Sequence, residues 1–132
     1  MRRLIQAVLL AAILAALMHA QYGPRGGPYY PDRVDALIER VHTDLERGYG
    51  VWRLSGGDRD RLTHAEHQLR DFAKHWHRGH FDKDKLDDSI AAVQHVLDNN
   101  HLTGRERDML WQDVTALRRM REAYDRHEIG RW

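Results

Sequence analysis

Four stretches of this chain repeat their apolar residues every three or four positions, the period of an α-helix that buries one face. The first runs Val34, Leu37, Ile38, Val41 and Leu45, and Pro31 and Asp32 suit its opening turn. Gly48 and Gly50 follow, and are expected to end the helix in the left-handed conformation. The second stripe is Leu62, Ala65, Leu69, Phe72, Ala73 and Trp76. Ser55 with Asp58 and Thr63 with Glu66 both have capping-box spacing. The earlier start is preferred, which leaves Thr63 inside the helix, and Gly79 stops it. An i,i+4 pair is expected between Glu66 and Arg70.

Leu86, Ile90, Val93, Val96 and Leu97 form the third stripe, led by the acidic turn Asp82–Asp84, with a left-handed exit expected at Asn99-Asn100. The fourth comprises Met109, Leu110, Val114, Leu117, Met120 and Tyr124, behind a capping box at Thr103 and Glu106. Arg118–Glu122 and Glu122–Arg126 are expected to pair on its outer side, where Trp111 also lies. Short connections between amphipathic helices imply antiparallel neighbours. The expected fold is therefore all-α, an up-down-up-down four-helix bundle over residues 32–132.

Ahead of the bundle, residues 1–20 read as a secretory signal: Arg2 and Arg3, an apolar run Leu4–Leu17, and a small residue for cleavage at Ala20. The run is shorter than the roughly 20 residues a membrane span requires, so no stable span is expected after cleavage. Residues 21–31, rich in Gly, Pro and Tyr and without periodicity, are expected to form a flexible connection. These features place the protein outside the cytosol, in a periplasm or secreted.

The chain of 132 residues has room for one domain and contains no cysteine, which excludes disulfides, thiolate metal sites and c-type haem attachment. Its net charge is +1; without Arg2 and Arg3 it becomes −1, against the basic stripe that a nucleic-acid binder requires. Catalytic patterns are lacking too. Ser55 and Ser89 are the only serines, neither in a nucleophile elbow, and carboxylates such as Glu66 and Asp71 are expected on an exposed face. No enzyme is expected.

Histidine supplies the candidate chemistry. His64, His67, Asp71 and His75 fall within about an 80° arc of the second helix, opposite its apolar stripe. Imidazoles three or four residues apart can share a Zn²⁺, Ni²⁺ or Cu²⁺ ion, and a carboxylate can join them or orient a ring. His77 and His80 follow near the helix end, but lie elsewhere around its axis. Asp82–Asp88 does not make a calcium loop, since Asp87 stands where that loop needs glycine and Val93 where it needs glutamate.

Leu62–Glu66 and Leu102–Glu106 both read LTxxE. The fragment resembles the LTxxQ signature of periplasmic helical chaperones and metal-stress sensors of the Spy, CpxP and ZraP kind, with glutamate in place of glutamine. It implies a nucleotide-independent holdase or stress sensor, and a dimer. The expected function is thus that of an exported helical binding protein whose protein partner the sequence does not name. Metal binding or buffering on the His64, His67, Asp71 and His75 face is the alternative, beside the chaperone or sensor reading.

Overall fold

The structure, a computed structural model, describes residues 31–50 and 54–130. The signal expected over residues 1–20, nearly all of the 21–31 connection, Trp52 and Trp132 lie outside the described residues. Four helices follow in order: α1 (Pro31–Tyr49), α2 (Gly56–His77), α3 (Lys83–Asn99) and α4 (Gly104–Asp125). Each packs on its neighbours in sequence, and α1 closes the ring against α4. Contacts between opposite ends fix the directions. Trp76 near the end of α2 donates to Asp35 at the start of α1, and Arg121 late in α4 reaches Asp87 early in α3. The fold is the up-down-up-down bundle its stripes predict.

The stripes turn inward as one core. Val34, Val41, Leu45, Phe72, Leu86, Val93, Val96, Leu117 and Met120 have no exposed surface, and Trp76 is buried with them. Met109 and Tyr124 are only half-buried, at the margins of α4, while Trp111 is 61% exposed on its outer side. Among the described residues, no helix is long and apolar enough to cross a membrane.

Hydrogen-bonded caps set most of the helix boundaries. Ser55 and Asp58 form a reciprocal capping box on α2, as Thr103 and Glu106 do on α4. The glycine assignment after α1 differs from expectation. Gly48 lies within the helix and keeps ordinary φ; its use is close approach, since a Cβ there would come 3.0 Å from the Leu62 side chain. Asn100 likewise leaves α3 in extended conformation, φ −80° and ψ 150°, because its side chain is drawn into another contact described below. Positive φ among the described residues occurs only at Gly79 (82°) and His127 (58°).

Candidate metal centre

The candidate geometry begins at Gly79. With φ at 82° it reverses the chain beyond α2, and the His80 N–H closes on the His75 carbonyl at 3.0 Å. Two residues later Asp82 caps α3, its Oδ1 accepting the Lys85 N–H at 3.1 Å. That leaves Oδ2 free to point back across the corner, 2.7 Å from His75 Nδ1. The Lys85 N–H, helped by the nearby His75 and His80 rings, holds the Asp82 carboxyl below its ordinary range despite some burial.

His75, His80 and Asp82 thus bring one ligand atom each to within 4.8 Å of one another. Two imidazole nitrogens and a carboxylate oxygen form a donor set that suits Zn²⁺, Ni²⁺ or Cu²⁺. His75 and Asp82 share a hydrogen bond. A metal placed between them would displace that hydrogen, so its binding would release a proton and strengthen with pH. Beside the corner lies a cleft of about 610 Å³, walled by His80 and by half-buried Phe81 and Tyr124. The Phe81 and Tyr124 rings stack with centroids 4.4 Å apart, and Phe81 stands edge-on to Phe72 at 5.3 Å. The corner is therefore anchored to the core.

Of the residues singled out in the sequence, only His75 belongs to this group. His64 and His67 are exposed on the outer face of α2, and His67 Nδ1 lies 3.5 Å from Asp71 Oδ2. Successive turns of a straight helix stand about 5.4 Å apart and fan their side chains outward. The reversal at Gly79 folds later residues back toward His75 instead. His80, set aside on helical-wheel grounds, is recruited because the wheel ceases to apply beyond Gly79. His77 turns the other way, its Nε2 3.2 Å from Asp35 Oδ1.

Three acids are buried, Glu66 among them against the expectation of an exposed face, and each has a structural task. Glu66 meets His42 of α1 at 2.6 Å and makes no hydrogen bond to Arg70. Burial raises the Glu66 carboxyl, against the expectation of an unperturbed surface acid, and the hydrogen bond to Glu66 raises His42. Asp58 has no exposed surface. It accepts from Arg61 at 2.7 Å, lies 3.0 Å from His101 Nδ1, and offers its backbone carbonyl to Asn100 Nδ2 at 3.1 Å. Desolvation opposes its ionisation, but the hydrogen bonds from His101, Ser55 and Arg61 prevail and hold it at about 2. Asp113, also without exposed surface, takes one bond from Arg40 Nε at 2.9 Å, and its Oδ2 meets no donor. Burial and the adjoining Asp44 carboxyl push it up to about 7.

The two LTxxE segments also have tasks within the fold. Leu62 packs on Gly48, the Thr63 hydroxyl lies 2.9 Å from that of Tyr49, and Thr103 and Glu106 cap α4. On α4, Arg118 donates to Gln94 of α3, while Arg126 keeps Glu122 at 3.9 Å. No family model matches the chain, and no curated protein or solved structure matches it either.

Proposed function

We propose that this is an exported four-helix protein that works by binding without turnover, and that it holds a divalent transition metal, Zn²⁺, Ni²⁺ or Cu²⁺, on His75, His80 and Asp82. The observation that carries the reading is the convergence of three ligand atoms within 4.8 Å at one helix corner. Export rests on the charge and hydropathy pattern of residues 1–20. A site without cysteine suits an oxidising compartment, because imidazole and carboxylate ligands are not lost to disulfide formation. An open site of this kind exchanges its ion readily, as a metal buffer must.

Calorimetric titration of the purified chain with each ion tests the proposal. Binding tighter than about 10 μM is expected for at least one ion, lost in His75→Ala and retained in the double variant His64→Ala/His67→Ala. Failure of all three ions to bind, or affinity that survives His75→Ala, overturns it.

A further inference from the structure

Arginine recurs at seven-residue spacing on two neighbouring helices. Arg33 and Arg40 lie two turns apart on one side of α1, and Arg119 and Arg126 two turns apart on one side of α4. The contact between the Asp44 and Asp113 carboxyls sets the register of these antiparallel helices. Counted from that contact, Arg119 stands within about a turn of Arg40, and Arg126 within about a turn of Arg33. All four line one open cleft of about 570 Å³. Its floor is apolar, made by Ala36, Leu37 and Ala116, and Glu122 is the acid on its wall.

Two of the four guanidinium groups are placed to meet an acid from outside. Arg40 gives its Nε to Asp113 Oδ1 at 2.9 Å, and that carboxyl has no exposed surface, so the guanidinium is held from behind while the side chain stays 51% exposed. Its terminal nitrogens meet no other group among the described residues. Arg119, exposed on α4, makes no ion pair there at all. Arg126 is engaged by Glu122 and Glu128. Asp113 is raised to about 7, so near neutral pH it cancels only part of the Arg40 charge. Positive charge therefore faces outward over an apolar floor.

We infer that this cleft seats an acidic amphipathic helix of a partner protein, laid along α1 and α4 as a fifth helix. The spacing selects the occupant. A helix repeats a face every seven residues, or about 10.5 Å, which is the interval between the arginines on each wall. Carboxylates flanking an apolar stripe then reach both arginine levels together, as flanking charges do in helix-in-groove and coiled-coil pairing. A small free anion such as phosphate spans one level and makes no use of the floor. The short side chains of Ala36 and Ala116 let the incoming helix come close. In a symmetric pair of this chain arginines would face arginines, which disfavours a second copy. The cleft shares no residue with His75, His80 and Asp82, so this inference stands apart from metal binding.

The test uses the full chain and a dye-labelled synthetic helix of three heptads, with leucine and alanine on one face and glutamate on either side of it. Binding is read by fluorescence anisotropy at pH 7 and low salt. Arg119→Glu changes the cleft, and Arg59→Glu, exposed near the start of α2, changes net charge equally outside it. Thermal melts check that both variants stay folded. The wild type is expected to bind with Kd below about 100 μM and to weaken as salt is added. Arg119→Glu weakens binding about tenfold or more, and Arg59→Glu by no more than about twofold. No binding tighter than about 100 μM in the wild type overturns the inference. So does a loss in Arg119→Glu no larger than in Arg59→Glu, or equal binding of a scrambled peptide with the same composition. Phosphatidylglycerol vesicles that bind the wild type but not Arg119→Glu, with the peptide ignored, would assign the cleft to a membrane surface instead.

Discussion

Asp82 divides its carboxylate between two tasks: Oδ1 caps α3 on the Lys85 N–H, and Oδ2 lies 2.7 Å from His75 Nδ1. The split makes the two tasks separable by mutation. Asp82→Asn keeps an oxygen for the cap but removes the negative ligand, so melting stays near wild type while metal affinity falls by about tenfold or more. Asp82→Ala loses both, and also costs about 1 kcal/mol of stability. Equal metal affinity in wild type and Asp82→Asn, measured by dye competition, would argue against the carboxylate as a ligand.

Asp58 ties the start of α2 to the α3–α4 connection through Arg61, Asn100 and His101. Asp58→Ala removes the carboxylate that meets Arg61, His101 and the Ser55 N–H, while the Asn100 bond to the backbone carbonyl stays, and is expected to cost about 1–3 kcal/mol in urea melts. Its folded carboxyl titrates at about 2, below the unfolded value of 3.8, so its contribution is present above about pH 4 and lost as pH falls toward 2. The variant should show a shallower acid limb than the wild type over that window. Matching acid limbs would show that the junction contributes nothing to the titration.

Asp113 has the opposite sign. Its folded carboxyl is raised to about 7 from 3.8, so between those values the unfolded chain has released a proton that the folded chain retains. Stability is full below about pH 4 and declines as pH rises toward 7. Asp113→Asn should remove the decline and stabilise the protein at pH 8 by roughly 1–3 kcal/mol, with little change at pH 4. Urea melts at the two pH values decide this, and an equal or lower stability of the variant at pH 8 would contradict it.

Phe72 joins the core to the His75–His80–Asp82 corner by its edge-on contact with Phe81. Truncation to alanine should cost about 3–5 kcal/mol, as large-to-small substitution does at a fully buried aromatic. It should also weaken metal binding by loosening the backbone that carries His80 and Asp82. A stability loss below about 1 kcal/mol would place Phe72 outside the load of the core.

The fold was legible because burial follows periodicity. Phe72, Leu69 and Trp76 sit inward wherever the stripe puts them, and Ser55 and Thr103 cap the helices their spacing marks. The buried acids were not legible, since a stripe reading sends charges outward. Asp113 faces inward only because Arg40, 73 residues away, meets it, and Glu66 only because His42 stands on the adjoining helix. The His75–His80–Asp82 corner failed to show for a different reason. Residues 75, 80 and 82 share no helix face, and a chain reversal has to bring them together. The available signal was histidine on both sides of a helix-stopping glycine with an acidic cap just beyond.

An anomalous-scattering map of zinc-loaded crystals reads the place of the ion directly. A zinc peak is expected at the α2–α3 corner, about 2.0–2.2 Å from ring nitrogens of His75 and His80 and from an oxygen of Asp82. A peak on the outer face of α2 at His64 and His67, or no peak at the corner in a zinc-saturated crystal, would contradict it.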